Sequence, residues 1–404
     1  MYSKNRSRSF GGGNFSNSTN RFSSSNNFRR TQGKAKRRGE QIDESKFVKK
    51  AESLEQKPAE IKNSFESFGF CQQLNQNLID RSYDIPTPIQ DQSIEHILNG
   101  RDLIGLANTG TGKTAAFLLP LIERCFADKS KKVLIIAPTR ELAQQIDDEF
   151  KKFAARMGFY SVSCVGGMPI NRQLNSLQRN PNFVIGTPGR LKDLNDRGVL
   201  DFAKFRFVVL DEIDRMLDMG FVAEIRRILG QMPEERQSLF FSATMPPKIK
   251  ELVNQFLREP ITIQVSTGET AKNVDQDIVR VSDDMKFDRL KELLITSELQ
   301  KVLIFSETKR GVEKLAVALV RAGFKADSIH GNKRQGQRQR ALSQFKESRL
   351  QILVATDVAA RGLDIDNVTH VINYTIPQTY NDYVHRIGRT GRGDKKGFAL
   401  TFVN

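Results

Sequence analysis

Short apolar runs separated by helical patterns constrain this chain more than any other feature. "DLIGLA" (102–107), "KVLIIAP" (132–138), "FVIGTP" (183–188), "FVVLDE" (207–212) and "SLFFSA" (238–243) are near-continuous in apolar residues, and stretches such as "TAAFLLPLIERCF" and "RELAQQIDDEFKKFAARM" lie between them. A strand that is apolar at consecutive positions is buried on both faces, the condition of a parallel sheet covered by helices. The pattern restarts with "KVLIFSE" (301–307), "ADSIHG" (326–331), "QILVATD" (351–357), "HVINYT" (370–375) and "GFALTFV" (397–403). The fold class is therefore α/β, with two domains that each build a parallel sheet flanked by helices. The polar stretch "REPITIQVSTGETAKNVDQ" (258–276) has no helix periodicity and separates the halves. The expected organisation is a tail over 1–60, a first domain over 61–262, a connector over 263–274 and a second domain over 275–404.

Charge is unevenly placed. The 404 residues carry a net +16, and residues 1–40 hold ten Lys/Arg against one acid, Glu40, so nine of those charges sit in a tenth of the chain. An excess of this size predicts a polyanionic partner, or serves solubility alone. The tail is mostly Ser, Asn, Gly and Arg, with too little apolar surface to offset the entropy of ordering, and disorder is expected. Phe10, Phe15, Phe22 and Phe28 recur among its arginines, a combination that grips single-stranded nucleic acid by charge and stacking. A purely solubilising tail is the alternative. "EQIDESKFVKKAES" (40–53) reads as a short helix leading into the folded part.

No run of about 18 apolar residues is present to span a membrane, and the first residues lack the apolar core of a signal peptide. Cys71, Cys125 and Cys164 are dispersed without metal-ligand spacing, as reduced packing residues of a cytoplasmic protein would be.

The first chemistry-bearing stretch is "ANTGTGKT" (107–114), placed after a strand and opening a helix. In that context Gly110 and Gly112 let the backbone turn its N–H groups onto phosphate oxygens, Lys113 reaches the β/γ-phosphates and the Thr114 hydroxyl binds Mg²⁺. Ala107 stands where the usual pattern has its first glycine, and Asn108, Thr109 and Thr111 complete the loop. A phosphate loop needs an acid from another strand to hold the metal. Asp211 and Glu212 end the strand "FVVL": the first would orient Mg²⁺ or its waters, and the second would take a proton from the attacking water. Asp214, two residues on, could instead cap the following helix.

In order, the chain shows "YDIPTPIQ" (83–90), "ANTGTGKT", "PTRELA" (138–143), "GG" (166–167), "TPGR" (187–190), "DEID" (211–214), "SAT" (242–244), "ATDVAARGLDI" (355–365) and "HRIGRTGR" (385–392). This set resembles the DEAD-box family of ATP-dependent RNA helicases over roughly residues 62–404, with the bacterial members closest in look. Two departures stand out. Ile213 replaces the alanine of the name-giving tetrapeptide, and forcing three extra carbons beside the acids can cost about 1–3 kcal/mol. Ser82 stands where the adenine motif usually has glycine.

The resemblance implies two RecA-like domains, ATP with Mg²⁺ as cofactor, and RNA as partner. It gives Gln90 the adenine edge, Tyr83 a stacking role and Phe65 the place of the upstream aromatic. Arg389 and Arg392 would reach the phosphates from the second domain, an arginine-finger arrangement worth about 10³–10⁵ in rate. His385 would link that segment to Asp214, Ser242 and Thr244, and Gly362 and Asp364 would face the nucleotide. RNA backbone contacts fall to Pro138, Thr139, Arg140, Gly166, Gly167, Thr187, Pro188, Gly189, Arg190 and Thr356. Gln337 and Arg340 match the family's Q-x-x-R element inside the basic "HGNKRQGQRQR" (330–340). Such contacts position a strand without reading its bases. The implied activity is ATP-driven local unwinding. An ATP-switched RNA clamp and a DNA-directed helicase remain the alternatives, and protein partners cannot be read.

Overall fold

The computed structural model describes residues 42–51, 61–108, 110–265, 273–295, 299–360, 365, 368–391 and 395–404. Two parallel sheets flanked by helices dominate it. The first contains β1 (Leu103–Leu106), β2 (Val133–Ile136), β3 (Ser161–Cys164), β4 (Phe183–Gly186), β5 (Phe207–Leu210), β6 (Gln237–Ser242) and β7 (Ile261–Gln264) in the order β3-β4-β2-β5-β6-β1-β7. The second contains β8 (Val274–Arg280), β9 (Val302–Phe305), β10 (Ala326–Ile329), β11 (Ile352–Ala355), β12 (His370–Asn373) and β13 (Gly397–Val403) in the order β10-β11-β9-β12-β13-β8. This is the pair of RecA-like domains expected, called the first and second lobes below.

Alternation within the central strands explains their composition. Along β5, Phe207 and Val209 enter one apolar layer while Val208 and Leu210 enter the layer on the opposite face. Both faces are covered, so every position must be apolar. Edge strands escape that demand. β3 buries only alternate residues and β7 buries Ile263 alone, so neither reads as an apolar run. Ile263 and Gln264, expected in the connector, close β7, and Val274 opens β8.

Residues 42–51 fall inside the 1–60 tail span, in the stretch that also reads as a short helix leading into the folded part; there Glu44–Phe47 form a 3₁₀ turn and Phe47 is fully buried against the second lobe. A single buried aromatic among charged residues is too sparse a signal for a sequence pattern. Residues 1–41 and 52–60, with the four spaced phenylalanines, lie outside the described residues.

Candidate nucleotide site and nucleic-acid cleft

The loops that carry the quoted motifs leave the carboxyl ends of the strands, where an open α/β sheet offers a crevice to ligands. At the end of β1, Ala107 N–H donates to the Ser242 carbonyl at 3.0 Å, tying the phosphate loop to β6. Gly110 and Gly112 take left-handed backbone with φ of 86° and 93°. A Cβ at Gly112 would also lie 2.5 Å from Gln90 Nε2 and force that amide to shift. Thr111 Oγ1 donates to the Asn108 carbonyl at 2.8 Å. Lys113 opens the helix Lys113–Ala127 with its buried Nζ donating to the Ala107 carbonyl at 2.7 Å, and Thr114 follows, half-buried. Thr109 lies outside the described residues.

Asp211 and Glu212 follow β5. Asp211 is 2% exposed, and its Oδ1 has no hydrogen-bond partner among the described residues. Burial pushes its carboxyl up to about 7, with Lys113 pulling it down and Glu212 pushing it further up. A sheltered carboxylate oxygen that lacks a partner suits a divalent cation, whose charge would offset the lost hydration. Glu212 has φ 52° and ψ 52°, a left-handed conformation that non-glycine residues rarely take, and its Oε2 accepts from Arg215 Nη1 at 2.8 Å. Asp214 does more than cap a helix. Its Oδ2 accepts from Ala243 N–H, Thr244 N–H and Thr244 Oγ1 at 3.1, 3.1 and 3.2 Å, joining "DEID" to "SAT". The Ser242 hydroxyl is buried beside them without a partner among the described residues.

Ile213 is fully buried in the apolar layer with Leu210, Met216 and Ile225. Its extra carbons enter the core instead of crowding the acids. Ser82 has φ 55°, left-handed backbone that explains a glycine preference at that point.

The adenine set is arranged differently from expectation. Gln90 Nε2 donates to the Gly112 carbonyl at 3.0 Å and its Oε1 accepts from Thr87 N–H at 2.9 Å, so both amide functions are engaged. Each retains one further hydrogen-bonding position, since the amide nitrogen has a second N–H and the oxygen a second lone pair. Phe65 is buried in the first lobe's core, 6.0 Å from the half-buried Tyr83. Tyr83 meets Phe153 edge-on at 5.4 Å.

The nucleic-acid set converges. Pro138, Thr139, Arg140, Gly166, Thr187, Gly189 and Arg190 line a cleft of about 470 Å³ together with Gly331, Arg338 and Val358 of the second lobe. The Arg140 guanidinium sits against Gly166 and Gly167, where a Cβ at Gly167 would collide with it. Thr139 Oγ1 accepts from Leu142 N–H, capping the helix Arg140–Phe153. Pro188 opens the helix Pro188–Asp196, and one buried Arg190 nitrogen lacks a partner among the described residues. Thr356 is buried after β11.

Gln337 and Arg340 are exposed, and Gln337 Oε1 only accepts from Arg334 N–H at 3.1 Å. The pair facing the first lobe is Gln335 and Arg338. Gln335 Nε2 donates to Glu141 Oε1 at 3.0 Å and Arg338 Nη2 meets Glu141 Oε2 at 2.9 Å, all three side chains buried. The stretch 335–340 contains two overlapping Q-x-x-R spacings, so the register was not legible from the motif. Helix phase decides it, because residues two apart point to different faces.

In the second lobe the helix Tyr380–Ile387 carries His385 and Arg386. His385 and the buried Arg389 line a small cavity with Phe305 and Asp357. Arg386 is a structural member that the motif did not distinguish. Its Nε and Nη2 meet Asp357 at 2.6 and 2.8 Å, and its Nη1 donates to Asn373 and to the Thr375 carbonyl. Arg392, Gly362 and Asp364 lie outside the described residues.

The three cysteines are free, and burial pushes the Cys125 and Cys164 thiols up to about 12. Among the described residues no helix is long and apolar enough to cross a membrane.

Two family models match the chain: the DEAD/DEAH box helicase domain over residues 87–252 and the helicase conserved C-terminal domain over residues 285–394. The DEAD-box ATP-dependent RNA helicase CshA of Bacillus cereus is 45% identical over 342 residues, which cover 84% of this chain and 65% of that protein. CshA of Geobacillus kaustophilus is 44% identical over 342 residues, 84% of this chain and 73% of that protein. The solved structure of S. cerevisiae Dbp5 bound to RNA and ADP BeF3 is similar with a TM-score of 0.75 at 30% identity, covering 85% of this chain and 90% of that one. The chain thus spans just under two thirds of the length of the Bacillus cereus relative.

Proposed function

The chain belongs to the DEAD-box helicase family, and from that premise we propose that it is an RNA-dependent ATPase that couples hydrolysis to local, non-sequence-specific unwinding of short RNA duplexes. The observation that carries this reading is the cleft itself. First-lobe residues expected to contact an RNA backbone and Arg338 and Val358 of the second lobe line one surface, and the nucleotide motifs leave the same ends of the strands. A strand bound there is gripped only while the lobes are together, and the Glu141 contacts hold them so.

The chemistry divides among named groups. The N–H groups of Gly110 and Gly112 and the Lys113 ammonium would bind the triphosphate once Lys113 leaves the Ala107 carbonyl. Thr114 and Asp211 would hold Mg²⁺, partly through water, and the ion would neutralise phosphate charge; the partnerless Asp211 oxygen supports this. Glu212 would take the proton of the attacking water, oriented by its strained backbone, while Arg389 stabilises charge developing on the γ-phosphate. Asp214 would report on this centre through Thr244.

Ile213 packs into the core and leaves the acids beside it uncrowded, which supports productive hydrolysis over an ATP-switched clamp. The basic tail would raise general RNA affinity, and single-strand contacts imply a salt slope of about −0.7 per neutralised phosphate. A cytoplasmic location fits this role. Hydrolysis of ATP measured with and without RNA, beside displacement of a short duplex, tests the proposal. RNA stimulation with displacement supports it, and hydrolysis indifferent to RNA overturns it.

A further inference from the structure

Residues 42–51 precede the first lobe in sequence but pack on the second. Lys49 and Gln276 of β8 form a two-way antiparallel bridge, Lys49 N–H to the Gln276 carbonyl at 3.0 Å and Gln276 N–H to the Lys49 carbonyl at 2.8 Å. Ala51 N–H donates to Asp275 Oδ1 at 2.7 Å. Asp43 caps the turn by accepting from Ser45 N–H at 2.9 Å. β8 is the outer strand of its sheet, so the segment covers an edge that would otherwise present unpaired backbone.

Edge protection explains the bridge but not Phe47. That side chain turns inward, fully buried, with its ring 4.7 Å from Tyr383 in an edge-to-face arrangement, inside a cluster with Val274, Ile387 and Ala399. Tyr383 and Ile387 lie on the helix that carries His385 and Arg386 and stops just short of Arg389. The Tyr383 hydroxyl donates to Gln276 Oε1 at 2.9 Å, the residue whose backbone pairs with Lys49. On another side Arg386 fastens the same helix to Asp357. Among the described residues, the Phe47–Tyr383 packing and the Arg386–Asp357 pair both anchor this helix, and the first depends on the N-terminal segment.

We propose that residues 42–51 are an intramolecular clip that positions the helix Tyr380–Ile387, with Phe47 as its positioning residue, so that Arg389 is presented to the nucleotide in a fixed orientation. This rests on the reading of Arg389 as a phosphate-binding group. Because the chain continues from this segment into the first lobe, its non-covalent packing on the second lobe also couples the lobes, besides the connector after β7. Phe47 thus acts on the hydrolytic machinery through geometry, without touching substrate.

The full chain is tested as Phe47→Ala, Phe47→Leu, Arg389→Ala and Val48→Ser, the last at a 51% exposed neighbour on the same segment. At saturating RNA, Phe47→Ala is expected to lower kcat about 10- to 100-fold, the scale of an ångström of misplacement, with KM for ATP changed less than about twofold. Phe47→Leu should recover most of the rate and Val48→Ser should match the parent. Amide exchange of residues 380–389 should quicken in Phe47→Ala while that of β9 and β11 stays slow. An unchanged kcat in Phe47→Ala, with Arg389→Ala impaired, overturns the clip. Should Arg389→Ala hydrolyse ATP normally, the phosphate-binding reading falls instead, and exchange in Phe47→Ala then decides whether residues 42–51 hold the helix. If Phe47→Ala loses protection throughout the second lobe, the intermediate truncation Phe47→Val carries the comparison, and a parental rate and exchange pattern there overturns the proposal.

Discussion

Glu141 of the first lobe and Arg338 of the second meet at 2.9 Å with both side chains buried, and Gln335 occupies the other Glu141 oxygen at 3.0 Å. Burial pushes the Arg338 guanidinium down in pKa while Glu141 holds it up. Removing one partner of a buried pair leaves an uncompensated charge, at a cost of about 3–5 kcal/mol. Because the pair spans the lobes, that cost falls on the joined arrangement and spares each lobe alone. Arg338→Ala should therefore weaken RNA binding in the presence of a non-hydrolysable ATP analogue by about 100-fold or more. The double variant with Glu141→Ala should lose less than the sum of the singles. Fluorescence anisotropy with labelled single-stranded RNA reads both, and an unchanged affinity in Arg338→Ala contradicts a closing role.

Glu212→Gln keeps side-chain size but removes the basic oxygen and the charge that Arg215 meets. Turnover should fall by about 10²–10⁴, the worth of a general base, while RNA stays bound in ATP. Rapid hydrolysis by this variant would take Glu212 out of the chemistry.

Ile213→Ala, which restores the family's residue, should destabilise the first lobe by about 2–5 kcal/mol because it empties a fully buried core position. Urea denaturation followed by far-UV circular dichroism measures it. ATP hydrolysis per folded molecule should persist, and a gain in stability would mean that the isoleucine overpacks the core.

His370 on β12 stacks on Phe398 with ring centroids 4.9 Å apart, and burial pushes its imidazole down to about 4 from an ordinary value of 6.5. The folded state keeps the ring neutral where the unfolded chain would protonate it. The contribution is present above pH 6.5 and is lost progressively as pH falls towards 4, since protons then favour the unfolded chain. Second-lobe denaturation midpoints should drop across that window, and His370→Phe should flatten the dependence. Equal slopes for parent and variant would assign the acid sensitivity to other groups.

Much of this architecture was legible because central parallel strands must be apolar on both faces, as β2 and β5 are. β3 and β7 were not, since an edge strand needs only alternate burial and four such residues give no pattern. The motif residues were legible by type and order: Asp211 is buried after β5, Arg140 lines the cleft and Thr244 bonds Asp214. Their partners were hidden. Glu141 sits inside "PTRELA" as an ordinary helix acid, Arg386 is one arginine among three, and choosing Gln335 over Gln337 requires the rotation of a helix. Phe47 escaped because a short segment docking on a remote strand leaves no periodic trace in its own residues.

The glycine pair at 166–167 has a thermodynamic consequence. With nothing projecting from those two positions, the Arg140 guanidinium is parked against the backbone before any polymer arrives. Freezing a long side chain at the moment of capture costs about 0.5–1.5 kcal/mol, and here that loss is absorbed while the lobe folds. Calorimetry on a variant bulkier at Gly167 should thus reveal a steeper entropic penalty on association, even if the released arginine still finds the same phosphate.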